Sequence, residues 1–204
     1  MNCIHKLAQL FSQFPGIGPR QAKRFVYYLL TTNKQFVSEL SKLISEIQSH
    51  MSVCTSCFRF FDKGTGSAVM CSICRDKNRD ESLLMVVSRD VDLDNIEKSG
   101  SFNGKYFVLG GIVPILEENP EEKIRLRELL NKIELLSGGL KEVVLGMSAN
   151  SEGEHTGDVV KEALSSLSAK HNIKISTLGR GLSTGTELEY SDSETLKSAL
   201  KNRQ

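Results

Sequence analysis

Residues 54–74 read CTSCFRFFDKGTGSAVMCSIC, and this segment contains four of the chain's five cysteines as two Cys-x-x-Cys pairs separated by thirteen residues. Each pair turns its two sulfurs towards one point, and two pairs complete a tetrahedron, which is typical of a structural zinc site. An iron–sulfur cluster and two redox-active pairs are the alternatives. The fifth cysteine, Cys3, we expect to be a small buried residue. The segment therefore predicts one structural Zn²⁺ per chain, and its ligands would be Cys54, Cys57, Cys71 and Cys74.

Upstream of the cysteines, three stretches have apolar residues at helical spacing, which predicts a small helical domain over residues 1–52. The first two stretches are separated by Phe14-Pro-Gly-Ile-Gly-Pro-Arg20. The two glycines of this segment allow a tight turn and a close approach of the backbone to a partner. The second proline suits the first turn of a helix, and the free N–H groups of that turn favour a phosphate.

Three cations follow this turn at spacings that bring them onto one helix face. This arrangement is typical of a helix-hairpin-helix, which grips the nucleic-acid backbone without reading bases. The alternative is a plain helix–helix turn whose cations are only solvated. The residues predicted to bind DNA are Gly16, Gly18, Arg20, Lys23 and Arg24.

Downstream of the cysteines, short apolar runs alternate with longer helical stretches, which predicts a parallel α/β sheet covered on both faces. The predicted strands are Leu83–Val87, Tyr106–Leu109, Val143–Met147 and Ile173–Leu178. The predicted helices between them are Asp92–Lys98, Pro120–Leu136 and Asp158–Ala169. The whole chain is thus predicted to be a multidomain α/β protein. Its predicted parts are a helical domain at 1–52, a zinc finger at 53–77, an α/β domain at 78–172 and a C-terminal strand and helix at 173–204.

Composition excludes some classes of protein. The 204 residues are 39% hydrophobic and contain no apolar run of the roughly 20 residues that a membrane span needs. The first ten residues lack the apolar core of a secretory signal, so we expect a cytoplasmic protein with no membrane partner. The net charge of +1 argues against a nucleic-acid binder that works through overall charge.

The charges are unevenly distributed along the chain. Residues 1–80 contain 11 Lys and Arg against 5 Asp and Glu, whereas residues 81–204 contain 15 against 20. This asymmetry suggests a basic module joined to an acidic one, although chance scatter of solvated charges is the alternative. A basic N-terminal half is consistent with DNA binding at the glycine turn.

Over nearly its whole length the chain resembles the RecR family of bacterial recombination mediators. The motifs that carry the resemblance are Phe14-Pro-Gly-Ile-Gly-Pro-Arg20, the four cysteines, Tyr106-Phe-Val-Leu-Gly110, Glu152-Gly-Glu154 and Arg180-Gly-Leu-Ser-Thr-Gly-Thr-Glu-Leu-Glu-Tyr190. The resemblance implies a Toprim-type α/β domain and a homo-oligomer, either a dimer or a tetrameric ring. It also implies backbone contacts to single- and double-stranded DNA, and action with RecO and RecF in recombinational DNA repair.

The chain departs from catalytic Toprim enzymes, which place a glutamate after the first strand and an Asp-x-Asp pair after a later one to hold Mg²⁺. Here those positions are occupied by Ser88 and by Ser148-Ala149-Asn150. Neutral side chains cannot build a tight divalent site, so we predict a protein without enzymatic activity. The remaining carboxylates, Glu152 and Glu154, are predicted to bind a basic partner protein.

Two other functions stay open at this point. One is a Toprim-type metal-dependent nuclease or phosphotransferase, and the other is a zinc-stabilised protein adaptor that does not contact DNA. The glycine-containing segment that begins at Arg180 lacks the Gly-Lys-Ser/Thr of a phosphate-binding loop. We expect a turn or a subunit contact there.

Overall fold

The computed structural model describes residues 2–64, 66–179, 181–182, 185 and 187–201. The chain divides into two compact units, Met1–Met51 and Ser52–Gln204. The finer division of the second unit at residues 77 and 172 stays a prediction. None of the described helices is both long and apolar enough to cross a membrane.

The first unit consists of α1 (Cys3–Phe11), α2 (Pro19–Thr31) and α3 (Lys34–His50). Asparagine side chains cap two of these helices by accepting hydrogen bonds from backbone N–H groups: Asn2 at α1 and Asn33 at α3. The buried residues of α1 and α2 are mostly small, and α3 buries none among the residues described. The expectation that Cys3 is buried is wrong, because the side chain lies exposed in the first turn of α1.

The second unit is an α/β structure in which the cysteines precede the main sheet. Its elements are β1 (Met51–Val53), β2 (Phe60–Asp62), α4 (Ser72–Arg75), β3 (Asp80–Val87), α5 (Asp90–Ser99), β4 (Gly104–Val108), α6 (Leu126–Leu136), β5 (Glu142–Gly146), α7 (Ser151–His171), β6 (Lys174–Thr177) and α8 (Ser193–Lys201). Strands β1 and β2 pair with each other as a small separate sheet.

The main sheet has the strand order β4-β3-β5-β6, and every neighbouring pair is parallel, which confirms the predicted parallel sheet. Alternate residues of β3 point to opposite faces. Leu84 and Val86 lie in a cluster with residues of α6 and α7. Met85 and Val87 lie in a second cluster with Leu93 of α5 and with three of the cysteines. The sheet is therefore covered on both faces, and the cysteine segment forms part of one cover.

The predicted helix from Pro120 to Leu136 is shorter than expected. A single 3₁₀ turn covers Pro120–Glu122, and α6 begins only at Leu126. The reason lies at Arg125, whose backbone N–H donates to the carbonyl of Leu109, the residue just after β4, at 2.9 Å. That hydrogen bond holds the chain on the sheet and interrupts the helical pattern.

Two glycines in α7 offer a matched test of packing at the end of β5. A Cβ on Gly153 would lie 2.1 Å from the backbone oxygen of Ser148, whereas a Cβ on Gly157 would lie 3.6 Å from the Met147 side chain. We expect Gly153→Ala to lower the free energy of unfolding by about 1–3 kcal/mol through overpacking. Gly157→Ala should instead raise it by about 0.5–1 kcal/mol through helix propensity. Urea unfolding measures both changes, and equal stabilities would contradict this description of the turn before α7.

Candidate metal centre and nucleic-acid interface

The four cysteine sulfurs converge on one point, as their spacing predicts. They all lie within 4.8 Å of one another, and Cys57 Sγ and Cys71 Sγ are 3.6 Å apart. A tetrahedral zinc ion with Zn–S bonds of about 2.3 Å needs sulfurs about 3.8 Å apart. The cluster therefore fits such an ion, and four thiol ligands leave no coordination position for a substrate.

The local backbone explains how the first pair of cysteines is shaped. The N–H of Phe58 donates to the carbonyl of Cys54 at 2.9 Å, and the N–H of Cys54 donates to the carbonyl of Arg59 at 2.9 Å. Phe58 adopts a left-handed conformation with a φ of 61°. Its ring lies 5.3 Å from that of Phe107 and under the Arg125 guanidinium. This packing holds a residue other than glycine in an unfavourable conformation.

The second pair is joined to the first through sulfur. The N–H of Cys71 donates to Cys54 Sγ at 3.3 Å, and the short helix α4 then carries Cys74 back towards the cluster. Hydrogen bonding with Cys57 is the main cause that lowers the pKa of Cys54. The same contact raises the pKa of Cys57, and burial raises it further. A divalent metal would bind these side chains as thiolates and displace their protons.

The cysteine segment also docks on the edge of the main sheet. The N–H of Val108 in β4 donates to the carbonyl of Cys57 at 2.8 Å. Two lysines from the α/β unit reach the same segment: Lys105 donates to the carbonyl of Cys74, and Lys132 donates to the carbonyl of Ser56. No sequence motif assigns these two lysines to the cysteine segment. The sequence feature that could have revealed them is a lysine in an otherwise buried stretch: Lys105 lies inside the buried strand β4, and Lys132 lies between the apolar positions of α6.

The glycine turn of the first unit has the geometry of an open helix start. Gly18 is the N-cap of α2, with Pro19 as the first helical residue and no side chain capping the helix. Gly16 has a φ of +77°, which favours glycine. Apart from the residues adjacent in sequence, no described residue has an atom within 4 Å of a Cβ built on either glycine. The three predicted DNA-binding cations are all exposed on α2: Arg20, Lys23 and Arg24.

The residues at the Toprim carboxylate positions are engaged within the fold. Ser88 is 1% exposed, and its hydroxyl lies 3.2 Å from the sulfur of Met147. Asn150 caps α7 by accepting a hydrogen bond from the N–H of Gly153 at 2.8 Å. The two predicted partner-binding residues, Glu152 and Glu154, are exposed in the first turn of α7.

Acidic residues beside Ser88 are likewise bound to the backbone. Asp90 accepts from the N–H of Phe60, and Asp92 accepts from the N–H of Arg89. Within the described ranges, the four cysteines are the one group of three or more His, Cys, Asp or Glu residues placed to share an ion. The segment from Arg180 to Thr186 lies largely outside the described residues.

Comparison with known proteins connects these features. Residues 4–47 match the family described as "RecR, helix-hairpin-helix", residues 82–179 match "Toprim domain", and residues 181–204 match "RecR, C-terminal". The predictions of a helix-hairpin-helix and a Toprim domain are therefore confirmed.

Curated relatives are similar over the whole chain. The Recombination protein RecR of Paenarthrobacter aurescens (strain TC1) is 33% identical over 201 residues, which cover 98% of this chain and 95% of the relative. That of Syntrophobacter fumaroxidans is 34% identical over 201 residues, covering 98% and 94%. That of Bdellovibrio bacteriovorus is 31% identical over 207 residues, covering 100% and 97%. With both end segments and the Toprim domain matched as well, the chain belongs to the RecR family of recombination proteins.

Proposed function

We propose that this protein acts in recombinational DNA repair as a DNA-binding mediator that catalyses no reaction itself. The observation that carries the proposal is the open turn at Gly18, which leads into a helix bearing three exposed cations. Membership of a family of recombination proteins supports the same role. The glycine turn would hold DNA, and the α/β unit would recruit other proteins.

The DNA-binding part of the proposal rests on Gly18, because the fold itself does not require a glycine at that position. Its φ is −79°, which any residue can adopt, and no described residue beyond its chain neighbours comes within 4 Å of a Cβ built there. Neither strain nor internal packing therefore requires glycine there. A phosphate that approaches the helix N-terminus closely would require it, because a side chain would stand between the phosphate and the N–H groups. The nearby cations would then neutralise phosphates on either side.

The metal is proposed to be zinc, one ion per chain, with a structural role. When bound, the ion would cross-link Cys54 and Cys57 to Cys71 and Cys74. Tetrahedral tetrathiolate sites suit iron as well as zinc, and metal analysis distinguishes the two. The metal would hold the segment that covers β4.

The absence of catalysis is proposed from the geometry at the carboxyl end of β3. A glutamate at position 88 could ligate a cation only if it faced a cleft, whereas Ser88 faces the protein interior and contacts Met147. Asn150 is committed to capping α7. Glu152 and Glu154 are proposed instead to contact a basic partner, for which RecO and RecF are the candidates. An oligomer, either a dimer or a ring of four chains, would add several modest DNA contacts together.

The DNA-binding prediction compares two changes at α2. Gly18→Ser should keep the helix intact, because serine is a good N-cap, and should weaken DNA binding by obstructing the phosphate. Replacing Arg20, Lys23 and Arg24 by alanine should reduce the slope of log K against log salt by about one for each lost phosphate contact. Fluorescence anisotropy with single- and double-stranded oligonucleotides between 50 and 200 mM salt measures both.

The matched control for these variants is Lys98→Ala, which removes an exposed cation from α5 in the other unit. It should leave affinity and salt slope unchanged. Undiminished affinity in the triple alanine variant would favour a protein adaptor that does not contact DNA.

Metal analysis of the purified protein should return about one zinc per chain. Cys57→Ser should lose that zinc and lower the free energy of unfolding of the second unit by several kcal/mol, because structural zinc binds with on the order of 10 kcal/mol. Cys3→Ser, at an exposed cysteine outside the cluster, is the control and should change neither quantity. Stoichiometric iron with visible absorbance, or no metal at all, would contradict the zinc assignment.

Incubation with Mg²⁺ and end-labelled DNA tests the enzymatic alternative. We expect no strand cleavage and no transfer of the label, because neutral side chains stand at the positions where catalytic Toprim enzymes carry carboxylates. Cleavage that disappears in Glu152→Gln would overturn the proposal, whereas cleavage from a contaminating nuclease would persist in that variant.

A further inference from the structure

Two lysines of the α/β unit end beside the cysteine cluster, one on each Cys-x-x-Cys pair. Lys105 Nζ donates to the carbonyls of Cys74 and Asp76, at 3.2 and 2.7 Å. Lys132 Nζ donates to the carbonyl and the hydroxyl of Ser56, at 2.7 and 2.9 Å. Ser56 lies inside the first pair, and Cys74 closes the second. Each pair is therefore held from outside by one ammonium group.

These positions need an explanation, because a buried ammonium loses hydration energy unless a negative charge compensates it. Lys105 is 9% exposed, and its nearest ion-pair partner is Glu81, 3.8 Å away on a side chain that is largely exposed. No ion pair to Lys132 is found among the residues that the structure describes. Local carboxylates thus provide little compensation for either lysine.

The cysteine cluster, once it binds a metal, would provide the negative charge that compensates both lysines. Four thiolates around one divalent ion carry a net charge of 2−, which two ammonium groups would balance. Burial lowers the pKa of Lys132, and the neighbouring Cys74, Cys57 and Cys54 oppose that shift. Lys105 lies close enough to Lys132 for its positive charge to lower the pKa of Lys132 further. Two cations drawn to one place without a carboxylate between them indicate an anionic centre beside them.

We propose that Lys105 and Lys132 are positioning residues for the metal centre, each orienting one cysteine pair through a backbone carbonyl while balancing the charge of the tetrathiolate. The inference rests on the proposed zinc site. Positive charge beside the sulfurs withdraws electron density from the thiolates, so the bound sulfurs react more slowly with electrophiles and release the metal less readily. Groups that orient metal ligands commonly affect metal affinity by 10-fold or more.

The test uses the full-length protein carrying its metal. Lys105→Met and Lys132→Met remove one charge each, Lys132→Arg keeps the charge, and Lys98→Met is the control at an exposed lysine of α5. Zinc release to a chromophoric chelator is followed after addition of N-ethylmaleimide, which alkylates the sulfurs. We expect about tenfold faster release in each Met variant, and release close to wild type in Lys132→Arg and Lys98→Met.

Cobalt substitution separates charge from simple packing. Removing a cation beside the thiolates should move the sulfur-to-cobalt charge-transfer band to lower energy in both Met variants. The metal-free Met variants should unfold at the same urea concentration as metal-free Lys98→Met, or at a higher one. A purely structural role would leave the band in place and destabilise the metal-free protein. Should either Met variant fail to fold, Lys132→Gln decides, because it keeps a donor for Ser56 while removing the charge.

The outcomes distinguish the two proposals. A wild-type protein without zinc and without a cobalt charge-transfer band overturns the zinc site, and the lysine inference with it. A wild-type protein with zinc, together with release rates in both Met variants within twofold of Lys98→Met, overturns the lysine inference alone. Slow release in Lys132→Gln would overturn the charge-balancing role, because a neutral donor to Ser56 would then suffice.

Discussion

The open edge of β4 is the constraint on which the second unit depends. A strand at the end of a sheet leaves backbone N–H and carbonyl groups unpaired, and such edges recruit other chains unless they are covered. In this protein the cover is the cysteine segment, joined to the strand by the hydrogen bond from Val108 to Cys57. Three cysteines share one apolar cluster with Met85 and Val87 of β3. The candidate metal centre is therefore part of the sheet's own packing.

This arrangement connects two features that look independent in the sequence. The cysteine segment and the Toprim sheet occupy separate stretches of chain, yet Phe58 packs on Phe107 of β4. The ammonium groups of Lys105 and Lys132 also reach the two cysteine pairs. A metal bound to the cysteines would fix the position of the cover on β4.

Much of this follows from the sequence, because local patterns determine it. Cysteine spacing predicts the cluster, and continuous apolar runs predict the buried parallel strands. The start of α6 was missed because it depends on a hydrogen bond between Arg125 and Leu109, which no local pattern reveals. The roles of Lys105 and Lys132 were missed for a similar reason, since a lysine in an apolar stretch shows that a partner is needed without showing which one.

The cysteine cover also has a consequence for the order of assembly. The sulfurs belong to a stretch of 21 residues, from Cys54 to Cys74, whereas the contact between Cys57 and Val108 spans a much longer loop. Short loops close at a lower entropic cost and form earlier than long ones. The cysteine segment is also synthesised before β4. A metal-bound cover would thus be ready when β4 leaves the ribosome, so the sheet would grow against a prepared template and its edge would be protected from the start.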